Sequence, residues 1–163
     1  PIQTHATRHS DSPSPNHSRG HSMDIGRIAF LAAVLALLPT AGHAQGKKPG
    51  KNVHLYIISP QDGATVKSPV TVVFGLRGMG ITHAGDDFPN SGHHHLLVDV
   101  NTSLSLTEAM PHNKNYIHYA AGQTEAQIDL APGKHTLQLV LSDSKHYSFN
   151  PPVVSKQITI TVK

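Results

Sequence analysis

The fold of this chain is decided by the stretch Ser91-Gly-His-His-His-Leu-Leu-Val-Asp-Val100. Successive side chains of a β-strand point to opposite faces of the sheet, so a strand with this sequence sorts its histidines onto two faces. His94 shares its face with the leucine and the valines at even-numbered positions, which we assign to the core. His93 and His95 lie together on the other face.

The pair His93 and His95 has a spacing that suits two ligands of one metal ion. Residues i and i+2 of a strand lie roughly 6.5 Å apart along it, so both imidazoles can reach one ion if a third ligand comes from a neighbouring strand or loop. His118, which lies in a short predicted strand, and His146, in a loop before the last strand, are the predicted partners. Neutral imidazole suits copper and zinc. The sequence therefore predicts a metal site of His93, His95, His118 and His146, with copper as the cofactor and zinc as the alternative.

The alternative for these four histidines is a structural role, in which they line a solvated end of a loop or contact an anion. Two other histidines favour a structural role, with metal ligation as the alternative. His94 is predicted to be a hydrogen-bonded core residue, and His135 to bond back to the backbone upstream of a strand, as a tyrosine does in many β-sandwiches. His54 and His112 are interpreted as surface residues. Asp143 is expected to orient one ring of the metal site through a hydrogen bond.

Short apolar or alternating segments recur on both sides of the histidine stretch and are separated by turn residues. Besides that stretch, the predicted strands span residues 53–58, 70–76, 116–119, 124–130, 135–141 and 153–162. Residues 101–115 are expected to be irregular, with one or two helical turns at 104–110, and residues 142–152 to form a loop. About seven short strands with almost no helical periodicity predict an all-β fold, an immunoglobulin-like antiparallel β-sandwich over residues 53–163.

Several motifs of the predicted domain occur together as a set. They are Ser59-Pro60, Asp62-Gly63-Ala64, Phe74-Gly75-Leu76, Gly92 to Asp99, His118, Gly122 to Glu125, Pro132 to Leu139, Asp143, His146 and Pro151-Pro152-Val153. As a set they resemble a bacterial exported family, the domain of unknown function 4399. The resemblance covers nearly the whole of residues 53–163. It implies an exported β-domain and implies no particular activity.

The composition restricts the class of protein. The chain has 163 residues, a formal net charge of +3, 14 histidines and no cysteine. Its lysines are scattered and form no basic stripe interleaved with aromatic residues, so we predict no nucleic-acid partner. Without cysteine the domain has no disulfide, and its stability must come from its hydrophobic core.

Two polar segments are predicted to lie outside the folded parts of the chain. Residues 1–22 are rich in Ser, Pro and His and cannot bury enough apolar surface to fold, so we expect a disordered extension. Because the first methionine is Met23, this extension is also interpreted as an upstream stretch that is not translated. Residues 45–52 are rich in Gly, Lys and Pro and are expected to form a flexible tether.

Residues 23–44 have the pattern of a signal peptide. Arg27 precedes an apolar run at residues 28–38, and small residues lead to a cleavage point after Ala44. The apolar run is too short to cross a hydrocarbon core of roughly 30 Å. We therefore expect a periplasmic or secreted protein without a stable membrane anchor.

No catalytic motif accompanies the histidines. The sequence lacks a Gly-x-Ser-x-Gly elbow, a His-Glu-x-x-His pair and a phosphate-binding loop, so we predict no catalytic residue. We predict an exported protein that buffers copper or delivers it, with a periplasmic or envelope protein as the recipient. The alternatives are a non-catalytic module that binds partners in the cell envelope and, third, a metal-dependent oxidoreductase.

Overall fold

The computed structural model describes residues 46–163. The predicted extension at 1–22 and the predicted signal peptide at 23–44 lie outside the described residues. Of the predicted tether, residues 46–52 are described and contain no strand, and the carbonyl oxygen of Lys47 accepts a hydrogen bond from the backbone N–H of Asn150 at 2.9 Å. No helix within residues 46–163 is long and apolar enough to cross a membrane.

The described residues form ten β-strands and no helix, which confirms the all-β prediction. The strands are β1 (His54–Ser59), β2 (Thr65–Val66), β3 (Val70–Arg77), β4 (Gly80–Ile81), β5 (Ser91–Val98), β6 (Tyr116–Tyr119), β7 (Glu125–Ile128), β8 (Gly133–Ser142), β9 (Ser148–Val154) and β10 (Ile158–Val162).

The strands belong to two sheets that make a sandwich. The smaller sheet has the order β1-β3-β7, and the larger has the order β2-β10-β8-β5-β4, with β6 paired to β5 and β9 paired to β8. The pairings are antiparallel except for two short ones, β2 with β10 and β4 with β5. The histidine strand β5 therefore lies inside the larger sheet, between β8 on one side and β4 and β6 on the other.

Three of the ten strands, β2, β4 and β9, were not among the seven that the sequence predicts. β2 and β4 are two-residue strands, too short to produce an alternating pattern. β9 occupies part of the predicted loop at 142–152, and the single strand predicted at 153–162 is in fact the end of β9 and a separate β10. The prediction of a loop was wrong because Pro151 and Pro152 lie in β9, and prolines argue against a strand except at an edge or a bulge. The helical turns expected at 104–110 are also absent from the described residues.

The core lies between the two sheets and contains the even-numbered side chains of β5. Leu96 and Val98 pack there with Val72 and Phe74 from β3 of the smaller sheet. Burial of an apolar side chain of this size contributes about 1.5–3 kcal/mol. The face predicted for the core is therefore correct, and it holds the sandwich together without a disulfide.

The opposite face of the larger sheet is also covered. Leu97, Val100 and Val140 form a second buried cluster, against which Leu104 and Met110 of the segment 99–115 pack. Both faces of β5 are consequently shielded from water, and its residues from Gly92 to Val98 are all buried. Polar side chains on this outer face lie in a dry environment.

Candidate metal centre

Strand pairing brings histidines together on the outer face of the larger sheet. His95 on β5 lies directly opposite His118 on β6. His93 lies opposite Ser142 on β8. Cross-strand partners in antiparallel strands share a face and lie close to one another, so the three rings face one small region.

The ring nitrogens of four histidines converge there. The Nε2 atoms of His93 and His95 are 3.1 Å apart, and those of His118 and His146 are 3.2 Å apart. One donor nitrogen each from His93, His95 and His118 lies within 4.8 Å of the other two. The Oγ atom of Ser142 is 3.0 Å from Nε2 of His93. The four residues predicted from the sequence as metal ligands are thus neighbours in the fold.

The packing of the rings makes the group a single cluster, which we call the histidine cluster: His93, His95, His118 and His146. The ring of His118 stacks on that of His95 with centroids 4.9 Å apart and an interplanar angle of 18°. The ring of His146 meets that of His93 at 4.9 Å and that of His118 at 4.7 Å, edge on in both cases. His93 and His95 are fully buried, whereas His118 and His146 are half-buried.

His146 is held over the sheet by the tight loop between β8 and β9. Its backbone has φ of 68°, in the left-handed region that costs a non-glycine residue roughly 1–3 kcal/mol. Asp143 stabilises this loop, because its Oδ1 accepts hydrogen bonds from the backbone N–H groups of Lys145 and Tyr147 at 2.9 and 3.0 Å. The prediction that Asp143 orients a ring was wrong, since its carboxylate binds the backbone of the loop instead.

A second tether reaches the same loop from the segment 99–115. The backbone N–H of Met110 donates to the carbonyl oxygen of His146 at 2.8 Å, and Ala109 forms a β-bridge with Tyr147. His146 is therefore held both by its own loop and by a segment distant in sequence.

Burial keeps the inner rings neutral. Desolvation, followed by repulsion from His146 and His118, lowers the pKa of His93 to about 4. Desolvation, followed by repulsion from His93 and His118, lowers the pKa of His95 to about 2. The pKa of His118 is lowered for the same reasons, burial first. Rings that are neutral at pH 7 have a free lone pair for a metal ion, and protons compete weakly for it.

The donor set fits a transition-metal ion. Two nitrogens bound at about 2.0–2.1 Å in a tetrahedral site lie about 3.3 Å apart, close to the 3.1 and 3.2 Å between the facing Nε2 atoms. Within residues 46–163, His93, His95 and His118 place one nitrogen each within 4.8 Å of the other two, and imidazoles suit copper and zinc rather than calcium or magnesium.

One feature of the inner rings weakens such a site. The Nδ1 atoms of His93 and His95 are buried and have no hydrogen-bond partner within the described part of the chain. In most protein metal sites that N–H donates to a carboxylate or a carbonyl group, and loss of the partner lowers affinity by about 10–100-fold. The arrangement therefore suits an ion that exchanges rather than one that is held permanently.

The other histidines for which a role was predicted take that role, and His54 and His112 are exposed as predicted. His94 donates from Nδ1 to the carbonyl oxygen of Gln123 at 2.9 Å in the core, and Nε2 of His135 donates to the carbonyl oxygen of Ala131 at 2.9 Å, so both structural predictions are confirmed. The exposed His112 has its ring 5.6 Å from that of His118, a proximity that the sequence does not reveal because His112 lies in an irregular segment.

A comparison with known protein families identifies a domain family that includes the cluster. The sequence profile described as "Domain of unknown function (DUF4399)" matches residues 72–163, a range that includes the whole histidine cluster. No curated protein and no solved structure matches the chain. A function for this chain must therefore be argued from the chemistry and geometry of its own residues.

Proposed function

This chain belongs to the family of the domain of unknown function DUF4399, and we propose that it binds one transition-metal ion through His93, His95, His118 and His146. The observation that carries the proposal is the convergence of the four Nε2 atoms in two pairs, 3.1 and 3.2 Å apart. Four imidazole nitrogens directed at one another offer several neutral donors to an ion at a single point.

Copper is the proposed ion, and zinc is the alternative. A site of nitrogen donors binds Cu²⁺ more tightly than Zn²⁺ or the other divalent ions of the first transition series. Imidazole is a good ligand for both ions, so the alternative stays open and titration with each ion distinguishes them.

Buffering or delivery is the proposed role, rather than turnover. Four protein ligands fill a tetrahedral coordination sphere, whereas catalytic sites keep a position open for water or substrate. The missing hydrogen-bond acceptors at Nδ1 of His93 and His95 favour release of the ion to a recipient.

The proposed location is the periplasm or the extracellular space, and the proposed recipient is a periplasmic or envelope protein. The pattern of residues 23–44 supports export.

A second candidate function is a non-catalytic interaction module with structural histidines. The observation that favours it is that the facing rings are close enough to form N–H···N hydrogen bonds, and Ser142 Oγ is close enough to bond His93. In that case the cluster holds β5, β6, β8 and the loop at His146 together without an ion.

Titration calorimetry of the full chain with Cu²⁺ and Zn²⁺ separates the two functions. The cluster variant is His93→Ala/His95→Ala. The matched control is His54→Ala/His83→Ala, which removes two exposed histidines outside the cluster. Because the chain has 14 histidines, the difference between the variants, rather than the total binding, is the measurement.

We expect the wild-type protein and the control to bind one equivalent of Cu²⁺ more tightly than about 1 µM, or about −8.2 kcal/mol, and the cluster variant to lose that equivalent. The proposal is wrong if the cluster variant and the control bind the same number of ions with the same affinity.

A further inference from the structure

His112 is the fifth imidazole of this region, and it differs from the other four in its exposure. Its ring is 5.6 Å from that of His118 and lies edge on to it at 78°. His112 is exposed, His118 and His146 are half-buried, and His93 and His95 are buried. The five rings thus form a continuous series from solvent to the interior.

The backbone of His112 is anchored on both sides. Two residues before it, Met110 donates to the carbonyl oxygen of His146. One residue after it, Asn113 exchanges two backbone hydrogen bonds with Tyr116, at 3.2 and 3.1 Å, where β6 begins. His112 is therefore fixed beside the cluster, unlike a histidine in a free loop.

A partly hydrated ion that approaches a buried site must exchange its water ligands for imidazoles one at a time. The first imidazole that it meets should be exposed and should lie beside the half-buried pair. Among the histidines of residues 46–163, His112 meets both conditions: His54 stacks on Tyr56 in the smaller sheet, and the ring of His83 faces Asp86.

We infer that His112 is the access ligand of the metal site, through which the ion enters and leaves the histidine cluster. The inference rests on the proposed function and adds the route of exchange to it. The ion binds His112 with loss of one water, then passes to His118 and His146, and His112 is released when His93 and His95 bind. No redox change is involved.

An access ligand has a kinetic signature that a resident ligand lacks. Because His112 binds the ion only on the way in or out, it lowers the barrier in both directions by the same amount. Its removal slows uptake and release equally and leaves Kd unchanged. Removal of a resident ligand weakens Kd and acts mostly on release.

The test compares the wild-type chain with His112→Ala and His112→Gln, and with His54→Ala as an exposed-histidine control. Stopped-flow measurements follow uptake of Cu²⁺, and transfer of Cu²⁺ from the loaded protein to excess EDTA follows release. Titration calorimetry with Cu²⁺ measures Kd at equilibrium. The His93→Ala/His95→Ala variant supplies the signal of the remaining histidines, which is subtracted.

We expect both His112 variants to slow uptake and release by about ten-fold, the effect of a change of about 1.4 kcal/mol in a barrier, with Kd unchanged within about three-fold. Unchanged rates in a protein that binds Cu²⁺ normally would overturn the inference alone. A Kd weakened about ten-fold with unchanged uptake would also overturn it, because His112 would then be a resident ligand. Absence of binding by the wild-type cluster would overturn the proposed function and this inference together.

Discussion

Acidification should destabilise the metal-free protein, because His93 and His95 are buried as neutral rings. Their pKa values in the folded protein are about 4 and about 2, whereas the ordinary value is 6.5. Between the folded and the unfolded pKa the unfolded chain binds more protons than the folded one, so the free energy of unfolding falls as the pH falls. The window begins near pH 6.5 and extends down to about pH 4 for His93 and further for His95.

The size of the effect follows from these values. At pH 5, each ring is held neutral about 1.5 units below its unfolded pKa, which costs the folded state about 2 kcal/mol at about 1.4 kcal/mol per unit. The two rings together lower the free energy of unfolding by about 4 kcal/mol between pH 7 and pH 5. Because domains are stable by only about 5–15 kcal/mol, this loss is a large part of the total. The lowered pKa values of His94 and His118 act in the same direction.

Urea unfolding of the chain in EDTA, at several pH values between 7 and 5, measures this dependence. With m of about 1–3 kcal/mol/M, a loss of about 4 kcal/mol moves the midpoint down by at least about 1 M. The His93→Leu/His95→Leu variant removes both titrating groups and should lose most of the pH dependence, whatever its stability at pH 7. His54→Leu/His83→Leu, in which both residues are exposed, should keep it.

A loss of less than about 1 kcal/mol between pH 7 and pH 5 would refute the reasoning, because two neutral buried imidazoles require more than that. The same slope in the wild-type protein and the leucine variant would refute it as well. In either case the rings of His93 and His95 would be protonated in the folded state. The inference that the outer face of the larger sheet excludes water would then be wrong.

Three further predictions test the elements around the site. Gly92→Ala should lower the free energy of unfolding, measured with urea, by about 1–3 kcal/mol, because the added Cβ would lie 2.5 Å from a backbone oxygen of β8. Gly80→Ala should lower it much less, because the nearest atom to its Cβ would be 3.8 Å away. Asp143→Ala should lower the free energy of unfolding by about 2 kcal/mol, because two backbone N–H groups lose their hydrogen-bond acceptor. It should also weaken Cu²⁺ binding in calorimetry, and unchanged binding would contradict the role of Asp143 in the loop. Asp99, which bonds His135, raises the pKa of that histidine, so their pair stabilises the fold below pH 6.5 and loses this effect as the pH rises through the raised pKa. Asp99→Asn should therefore destabilise the protein most at acidic pH, and an equal effect at all pH values in urea unfolding would contradict this.

The local pattern of the sequence was sufficient for seven of the ten strands in residues 46–163 and for the faces of β5. Alternation of side chains is a property of one strand, so His94 could be assigned to the core and His93 and His95 to the other face without knowledge of any partner strand. The structural role of His135 was also predictable, because the bond to Ala131 spans only four residues. The same reasoning failed at β9. Pro151 and Pro152 argued against a strand there, and the strand forms because it pairs with β8.

The convergence of the site was decided by the tertiary structure alone. His118 meets His95 because β6 pairs with β5 in one register, and a shift of one residue would turn its ring to the other face. His146 reaches the cluster because Asp143 closes a tight loop and Met110 holds it from a distant segment. The sequence by itself determined which residues were able to bind an ion, since that depends on side-chain chemistry and on the period of one strand. Only the folded chain decided that their nitrogens meet, since that depends on hydrogen bonds and burial between segments far apart in sequence.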